Sequence, residues 1–347
     1  MKINKDYFAL TPLTGRIKYF LNQGKVISHT IDRIKWHIFP KLFITPRFPT
    51  HIDIETSSAC QLQCPMCGQR LMDNKMRGIM EFNLFKKIVD ECKKYGVYSI
   101  KLSWRGEPLL NPNIWRMVRY AKDKDIKDVA FLTNGEALKE SDLEELIESG
   151  LDWISFSIDG LYDTYEKIRY PSKFNEIVSK LKKLKELKKK KKRNKPLVRV
   201  QTIFSAIKDN PEEYFNFWND IVDRVNFIAD ERRADKEKNF PQDPNYICPM
   251  PWQRMVIAYN GKVAQCISDY LMKNPLGDVN EKSLYEIWHD KPFKELRYLQ
   301  KTKQRILLQP CKECCSGGKT REKEIKIGKK RIKIIEYINQ SLNVEDF

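Results

Sequence analysis

The 347-residue chain is predicted to form an α/β fold, a partial (β/α)6 barrel followed by a small C-terminal unit. Six strand-like segments alternate with helix-like segments, which indicates a parallel sheet with helical crossovers. The 41% share of hydrophobic residues is enough for a sizeable core. After a polar, proline-containing linker the pattern changes to short strands, a helix and closely spaced cysteines. A curled sheet of this kind presents the C-terminal ends of its strands as the active face.

The elements follow one another regularly along the barrel. The strand-like segments are 51–57, 97–104, 129–135, 152–160, 197–205 and 224–230, and the helix-like segments between them are 81–96, 111–124, 141–150, 174–190 and 210–222. Gly96 and Gly150 are typical helix stops, and the Ser141–Glu144 spacing predicts a capping box. Asn260-Gly261 predicts a hairpin turn in the C-terminal unit.

Four regions are expected along the chain. They are an N-terminal basic and aromatic extension, 1–48, a barrel, 49–240, a cysteine-containing unit, 245–318, and a basic C-terminal tail, 319–347. In the extension Ile27, Ile31, Ile34 and Ile38 recur at helical spacing, and Pro40 is expected to end that helix. The apolar stripe of the helix either packs on the barrel or makes a peripheral contact with a membrane interface.

The charge and the terminal segments limit the possible partners and location. The formal net charge is +18, and much of it lies in two lysine-rich runs, 180–195 and 319–333. These runs are either solvated surfaces or attractors of an anionic partner. No aromatic-rich RNA-binding signature accompanies them, so nucleic acid is not an expected partner. No secretory signal and no spanning segment is evident. The sequence therefore predicts a cytoplasmic protein, in which clustered cysteines indicate metal binding or catalysis before disulfides.

Three cysteines stand close together directly after the first strand. Cys60, Cys64 and Cys67 have the spacing C-x3-C-x2-C, and no fourth Cys or His lies nearby. Cys92 falls on the apolar face of a helix and is assigned to the core. A structural zinc site needs four protein ligands, whereas a [4Fe–4S] cluster held by three thiolates leaves one iron open. The spacing favours an iron–sulfur cluster over zinc.

This motif, at the end of the first strand of a β/α domain, resembles the radical S-adenosylmethionine (SAM) superfamily over about residues 50–240. The resemblance implies a TIM-like partial barrel and SAM bound to the open iron. It further implies that a reductase such as flavodoxin or ferredoxin reduces the cluster. SAM is then cleaved to methionine and a 5′-deoxyadenosyl radical, which abstracts hydrogen from the substrate.

The later strand ends match the family in order and imply the SAM contacts. The residues that match are Met66 beside adenine, Gly106 and Glu107 in "WRGEP" near the SAM amino group, Ser157 and Asp159 in "SFSIDG" near ribose, and Gln201 near ribose or carboxylate. "TNG" closes the third strand, as it does in relatives. Arg105 departs from the family pattern, because it replaces a glycine. We expect it to recognise a carboxylate or phosphate of an anionic substrate.

Five further cysteines lie in the C-terminal unit. Cys248, Cys266, Cys311 and Cys314 suit a structural zinc knuckle, but their sequence context resembles the SPASM/twitch domains of radical SAM enzymes. The resemblance implies one auxiliary [4Fe–4S] cluster, which would accept an electron from the substrate. Cys315 is a spare thiol, a ligand in place of Cys314, or a catalytic hydrogen-atom donor.

The resemblance implies a radical SAM enzyme that dehydrogenates or epimerises a small sugar-like or cyclitol-like metabolite. Only 59 residues precede the first cysteine, fewer than the roughly 80–90 residues that the family's peptide maturases devote to a leader-binding domain. Peptide modification is therefore the alternative within enzymes. A non-catalytic metal-binding scaffold is the alternative from another class.

Overall fold

The computed structural model describes residues 7–23, 25–234, 241–327 and 330–346. The strands are β1 Tyr7–Ala9, β2 His51–Ile54, β3 Ser99–Lys101, β4 Asp128–Thr133, β5 Trp153–Ser157, β6 Leu197–Ile203, β7 Arg224–Ile228, β8 Arg254–Ile257, β9 Lys262–Ala264, β10 Gly277–Asp278, β11 Thr320–Ile327 and β12 Lys330–Tyr337. The helices are α1 Leu13–Asn22, α2 Val26–Lys41, α3 Phe82–Tyr95, α4 Ile114–Asp123, α5 Asp142–Glu148, α6 Tyr162–Ile168, α7 Phe174–Lys190, α8 Pro211–Asn219, α9 Leu284–His289, α10 Lys291–Lys301 and α11 Gln309–Lys312.

The main sheet confirms the predicted barrel of parallel strands. Strands β2 to β7 lie side by side in chain order, and every neighbouring pair among them is parallel. Helices connect the strands, as their alternation predicted. The short strand β1, which the sequence pattern did not reveal, pairs antiparallel with β7. It protects the outer edge of the sheet from pairing with another chain.

The C-terminal unit continues the barrel sheet. Strand β8 pairs parallel with β2, and β9 and β10 extend the sheet by antiparallel pairing. The turn at Asn260-Gly261 joins β8 to β9 as predicted, with Gly261 at φ +90°. Because β2 would otherwise be an unpaired edge, β8 satisfies its backbone groups and attaches the C-terminal unit to the barrel.

A buried ion cluster reinforces this junction. Asp53 on β2 accepts from Lys101 on β3 at 2.6 Å and from Arg254 on β8 at 3.0 Å, and it lies 3.2 Å from His51. Burial opposes ionisation of Asp53, but the combined attraction of Lys101, Arg254 and His51 outweighs it and holds the pKa well below its ordinary value. Three strands from both parts of the chain are thereby joined by one carboxylate.

The barrel helices bury the faces that the apolar spacing predicted. One predicted feature, a capping box at the start of α5, does not form. Cys92 is fully buried on α3 and belongs to the core. Gly96 and Gly150 lie beyond the ends of α3 and α5 at φ +68° and +83°, where glycine is favoured. The prediction of a capping box at Ser141 is wrong, because this residue has helical φ and ψ and its side chain makes no capping hydrogen bond.

The N-terminal helices place their apolar stripes on the surface. Helix α2 continues one residue past Pro40, which lies in its last turn and does not end it. Ile27 is 79% exposed, and Ile31, Ile34 and Ile38 are between 43% and 52% exposed. The expectation that this stripe packs on the barrel is therefore wrong. The opposite face of α2, with Asp32, Trp36 and Pro40, contacts the rest of the protein.

The predicted basic tail is a folded hairpin. Strands β11 and β12 pair antiparallel over eight positions. Ile327, Ile334 and Tyr337 are buried, which attaches the hairpin to the rest of the molecule. The alternation of lysine and isoleucine in this segment is typical of a strand with one buried face. In the described ranges, no helix is both long enough and apolar enough to span a bilayer.

Candidate active site

The first cysteine triad lies on the loop that follows β2. Cys64 is buried, and Cys60 and Cys67 are half-buried. The backbone N–H of Cys67 donates to the carbonyl of Cys64 at 3.1 Å and tightens the loop. Burial raises the pKa of the Cys60 thiol to about 12, and it also raises the pKa of Cys64. Bare thiolates are disfavoured at Cys60 and Cys64, so a bound cationic centre would be needed to keep these two cysteines deprotonated.

The triad fits an iron–sulfur cluster better than a single ion. Within the described residues, no three His, Cys, Asp or Glu side chains form a ready-made site for one metal ion. A [4Fe–4S] cluster places its thiolates on different irons, so its ligands stand farther apart than those of one ion. Amide and guanidinium donors already face two of the sulfurs, and such hydrogen bonds tune clusters.

Gly106 lets the loop after β3 lie directly against the cysteine loop. A Cβ atom at this position would come within 2.5 Å of the carbonyl oxygens of Ser57 and Ala59. The next residue, Glu107, donates its backbone N–H to Ala59 at 2.8 Å. Any side chain at position 106 would push the two loops apart, so glycine is required for this approach.

The Glu107 carboxylate ties two strand ends together. It accepts from the Thr133 hydroxyl at 2.6 Å, from the Asn134 backbone N–H at 2.7 Å and from the Leu109 N–H at 3.1 Å. Burial raises the pKa of Glu107 to about 7, although these hydrogen bonds favour the ionised form. The side chain is thus engaged with the protein, and its contact with SAM stays a prediction.

Two polar neighbours of the triad were not assigned from the sequence. The Asn134 amide donates to the Cys60 sulfur at 3.5 Å, and the Arg169 guanidinium donates to the Cys64 sulfur at 3.7 Å. Asn134 belongs to the "TNG" segment, and its position at the end of a strand could have indicated that it lies near the triad. Arg169 directly follows α6, a helix that the sequence pattern did not reveal.

Asp159 orients that arginine. Its Oδ2 accepts from Arg169 at 2.5 and 2.6 Å, and its Oδ1 accepts from the Ile203 backbone N–H at 2.8 Å. The carboxylate therefore reaches the cluster loop through Arg169, and a direct contact with ribose stays a prediction. Ser157 and Gln201 are half-buried cross-strand neighbours on β5 and β6. Their contacts with SAM, and that of half-buried Met66 with adenine, stay predictions.

Arg105 is not available for an anionic substrate. Its guanidinium makes two hydrogen bonds with the Glu55 carboxylate, at 2.7 and 2.6 Å, and donates to the Tyr270 carbonyl at 2.9 Å. It also lies 4.1 Å from the ring centre of Trp104. Because the pair with Glu55 is buried and bidentate, the expected recognition of a substrate carboxylate or phosphate by Arg105 is wrong.

The second set of cysteines surrounds one cavity. Cys248, Cys266, Cys311 and Cys314 all line it. Two buried amides from Gln265 and Gln300 donate to the Cys311 sulfur, at 3.5 and 3.3 Å. Burial and, to a smaller extent, nearby Cys314 together raise the pKa of the Cys248 thiol to about 11. Four thiols around one cavity fit a cluster with four protein ligands.

Cys315 lies outside that lining. It is buried, and its carbonyl accepts from the Gln340 side chain at 2.9 Å. Buried Arg305 shapes the same loop by donating to the carbonyls of Cys311 and Gly317, both at 2.8 Å. The role of Cys315 as a hydrogen-atom donor is a prediction that these contacts do not test.

The segment after Cys266 joins the two cysteine sets. Trp104 donates its indole N–H to the Ile267 carbonyl at 2.8 Å, next to the Arg105–Tyr270 contact. The Tyr270 ring lies against Gly68, where an added Cβ would come within 2.9 Å of it. Gly68 directly follows Cys67, so Tyr270 spans from the auxiliary-cysteine segment to the triad loop.

Polar groups at the end of the last barrel strand meet this tyrosine. Arg233 donates to the Tyr270 hydroxyl at 3.3 Å and to Glu231 at 2.5 Å. Glu231 also accepts from the Ser316 hydroxyl at 2.7 Å. These contacts link the barrel mouth to the loop that carries Cys314 and Cys315. The mouth between the two cysteine sets is therefore lined by acidic, basic and hydroxyl groups.

Two family models match the chain. The radical SAM superfamily matches residues 54–205, and the SPASM iron–sulfur cluster-binding domain matches residues 248–315. The first range contains the triad and the strand ends with Gly106, Asn134, Asp159 and Gln201, and the second contains all four auxiliary cysteines. These domains imply a SAM-binding [4Fe–4S] cluster, an auxiliary [4Fe–4S] cluster and SAM.

Two curated relatives extend along most of the chain. A tungsten-containing aldehyde ferredoxin oxidoreductase cofactor-modifying protein of Pyrococcus furiosus is 24% identical, covering 76% of this chain and 86% of its own. The S-adenosyl-L-methionine-dependent 2-deoxy-scyllo-inosamine dehydrogenase of Niallia circulans is 22% identical, covering 76% of this chain and 91% of its own. Each of these matches extends over about three quarters of this chain and most of the relative.

Solved structures share the fold. BtrN in complex with AdoMet and 2-DOIA superimposes with a TM-score of 0.56 at 22% identity, covering 77% of this chain and 93% of its own. SuiB of Streptococcus suis bound to the precursor peptide SuiA gives a TM-score of 0.55 at 16% identity, covering 74% of this chain and 68% of its own. The fold class predicted from the sequence is confirmed. The chain belongs to the radical SAM superfamily, and it is a radical SAM enzyme with a C-terminal SPASM-type iron–sulfur domain.

Proposed function

We propose that the enzyme dehydrogenates a small polyhydroxylated or amino-substituted metabolite, such as a sugar or a cyclitol. The observation that carries this proposal is the contact between the two cysteine sets through residues 267–270. Trp104, Arg105 and Gly68 hold that segment between the triad loop and the auxiliary cavity. A substrate at this mouth would be close to both centres, as a net oxidation with two redox sites requires.

The cysteines suit two cofactor positions. Cys60, Cys64 and Cys67 would hold the cluster that binds SAM, and Cys248, Cys266, Cys311 and Cys314 would hold the auxiliary cluster. When bound, the first cluster and SAM supply a one-electron cleavage that yields a hydrogen-abstracting radical, and the second cluster supplies an electron acceptor.

The residues of the chain would organise this chemistry. Arg169 and Asn134 donate hydrogen bonds to triad sulfurs and would offset part of the negative charge of a cluster. Gly106 and Glu107 fix the loop after β3 against the triad loop. The ring of Tyr270 covers Gly68 and would exclude water from the space between the two centres.

Sequence similarity supports a small substrate. The dehydrogenase relative matches over 91% of its own length, so the similarity extends over nearly the whole of that protein. Its name describes dehydrogenation of a cyclitol-like amine. Glu231, Arg233 and Ser316 pair with one another at the mouth, and hydroxyl and amine groups of such a substrate would exchange with these contacts.

We further propose a cytoplasmic location and a one-electron reductase, such as flavodoxin or ferredoxin, as the electron donor. The many lysine residues suit an acidic protein of this kind, since complementary charge speeds encounter. A pull-down of the reconstituted enzyme with flavodoxin at low and high salt would test the partner. Binding that is lost at high salt is expected.

The experiment for the proposed function combines SAM cleavage with product analysis. The reconstituted enzyme is incubated anaerobically with reductant, SAM and a panel of deuterated aminocyclitols and sugars. Deuterium in 5′-deoxyadenosine together with a two-electron-oxidised product is expected. The Cys311→Ala variant should keep SAM cleavage but lose oxidation, whereas Cys92→Ala, outside both cysteine sets, should keep both.

Peptide modification is the second candidate, because SuiB with its precursor peptide shares the fold at nearly the same TM-score. A panel of short peptides run in parallel distinguishes the two. Deuterium transfer from a peptide and none from the metabolites would replace the metabolite proposal. An epimerised product without net oxidation would retain the small substrate but remove the electron-acceptor role. Absence of SAM cleavage with every substrate would favour a metal-binding scaffold.

A further inference from the structure

Helix α2 exposes a continuous apolar stripe. We define the α2 stripe as Ile27, Ile31, Ile34, Ile38 and Leu42, all of which are at least 43% exposed. Their spacing of three and four residues places them on one side of the helix. Single exposed apolar residues are ordinary on protein surfaces, but a contiguous set of five large side chains marks an interaction surface.

The face of α2 opposite the stripe packs against the rest of the protein. The stripe is therefore not the face that α2 contributes to the core. Asp32 and Pro40 are buried, and the Trp36 carbonyl accepts from the Gln253 side chain at 2.8 Å. Trp36 also packs edge-on against His51, with ring centres 5.8 Å apart. The body of the protein therefore fixes the helix with its stripe outward.

Helix α1 adds a second apolar stripe of the same kind. Leu13, Ile17 and Leu21 are at least 50% exposed and recur every four residues. The buried side chain of α1 is Tyr19, on another side of the helix. Phe20 contacts His29 with ring centres 5.1 Å apart, which holds α1 against α2. The two helices thus present eight large aliphatic side chains outside the protein core.

Cations surround these stripes. Between residues 13 and 47 the chain has seven Lys and Arg residues and a single carboxylate, Asp32, which forms an ion pair with Arg33. Lys35 and Lys41 lie on either side of the α2 stripe by helical spacing. Ile31, Lys35, Ile44 and Arg47 line one cleft, so aliphatic and cationic side chains lie next to each other on this surface.

The combination of exposed aliphatic and cationic side chains distinguishes between the partners that could cover this surface. A second copy of the chain in a twofold arrangement would bring the two cationic surfaces together, and like charges oppose such a pairing. An anionic bilayer offers aliphatic chains for the stripes and phosphate groups for the lysines. Since no described helix can span a bilayer, such a contact would be peripheral.

We propose that α1 and α2 bind the surface of an anionic phospholipid bilayer, with the α2 stripe inserted at the headgroup boundary and the flanking lysines on lipid phosphates. The inference is independent of the substrate proposed above. It would place the catalytic mouth of a membrane-bound enzyme at a fixed orientation relative to the lipid surface.

Flotation of the full chain tests the proposal. The probes are phosphatidylcholine vesicles with and without phosphatidylglycerol. Wild type is expected to float with the anionic vesicles and to remain in solution with the neutral ones. Ile27→Asn/Ile34→Asn/Ile38→Asn should lose flotation at least tenfold. Lys35→Gln/Lys41→Gln should weaken binding, by about fivefold for each lysine.

A matched control uses two other exposed aliphatic residues. Ile306→Asn/Leu307→Asn changes side chains that are 53% and 70% exposed outside the N-terminal helices, and flotation should be unchanged. Light scattering of each variant reports the oligomeric state. Equal flotation of the stripe variant and wild type, or no flotation of wild type, would overturn the proposal. A wild-type dimer that the stripe substitutions convert to monomer would assign the stripe to self-association instead.

Discussion

At the residue scale, polar side chains from other parts of the chain donate hydrogen bonds to the sulfurs of the triad. Arg169 donates to Cys64 and is oriented by Asp159, and Asn134 donates to Cys60. These contacts come from residues that are far apart in the sequence. The cysteine spacing could be recognised from the sequence because all three ligands lie within eight positions. The donors could not be assigned, because nothing local marks which arginine or asparagine folds back onto a sulfur.

Removal of the Arg169 charge should lower the reduction potential of the triad cluster. A nearby cation stabilises the more negative, reduced form, so Arg169→Gln should shift the potential downward by roughly 60 mV, a tenfold change for a one-electron couple. Redox titration followed by electron paramagnetic resonance measures the shift. Arg119→Gln, at an exposed ion pair, is the control and should leave the potential unchanged. An unchanged potential in Arg169→Gln would contradict the role of this residue.

Substitution of Gly106 should separate the loop after β3 from the triad loop. The Cβ of Gly106→Ala would overlap backbone oxygens, which cannot move as a flexible side chain could. We expect a loss of about 1–3 kcal/mol in the free energy of unfolding and a reduced iron content. Gly96→Ala should cost about 1 kcal/mol, because of its positive φ, without loss of iron. Equal iron content in the two variants would show that the close approach is unnecessary.

At the element scale, strand pairing and buried ion pairs attach the C-terminal unit to the barrel. The pattern of alternating strands and helices predicted β2 to β7 correctly, because each of these strands is flanked by its own crossover helix. The pairing of β8 with β2 was not predicted, since a short strand carries no signal for its partner. Likewise, the lysine-rich end was interpreted as a tail, although its alternating isoleucines form one face of the β11–β12 hairpin.

Asp53→Asn should weaken the junction of β2, β3 and β8. Loss of the carboxylate leaves Lys101 and Arg254 without their anionic partner, which costs about 3–5 kcal/mol in a buried cluster. Urea unfolding monitored by tryptophan fluorescence measures the change. Asp125→Asn, at an exposed pair with Lys93, is the control and should cost about 0–1 kcal/mol. Similar small losses for both variants would contradict the importance of the cluster.

The Asp53 carboxylate also determines how the free energy of unfolding depends on pH. Its folded pKa is below its unfolded value, so its stabilisation is fully present above about pH 3.9 and is lost as the pH falls through the lower, folded pKa. The difference in unfolding free energy between wild type and Asp53→Asn should thus stay constant between about pH 5 and pH 7. A difference that changes within that range would mean that Asp53 or its neighbour His51, 3.2 Å away, titrates there.

The Arg105–Glu55 pair should behave as a unit. Arg105→Gln leaves the buried Glu55 charge without its cation and should cost about 3–5 kcal/mol. The double variant Glu55→Gln/Arg105→Gln carries no buried charge and should recover part of that loss. Denaturant unfolding of the two single variants and the double variant measures the coupling. Additive losses would show that the two side chains do not depend on each other.

At the scale of the whole molecule, the barrel and the SPASM-type unit form one continuous sheet with two cysteine sets near one mouth. Both sets could be predicted from spacing and from the resemblance to a family. The connection between them could not, because Trp104 and Ile267 are 163 residues apart and their hydrogen bond is a product of the fold. The exposed stripe of α2 was located by its periodicity, but its exposure depended on which face the barrel contacts.

Iron and sulfide analysis under anaerobic conditions, with electron paramagnetic resonance, would test whether the chain carries two clusters at these cysteines. Wild type should contain about eight irons, since each cluster holds four. The Cys60→Ala/Cys64→Ala/Cys67→Ala variant and the Cys248→Ala/Cys266→Ala/Cys311→Ala/Cys314→Ala variant should each contain about four. Only the second should keep a signal that shifts on addition of SAM. Zinc in the auxiliary position, or a SAM-sensitive signal in the variant without Cys60, Cys64 and Cys67, would contradict the assignment.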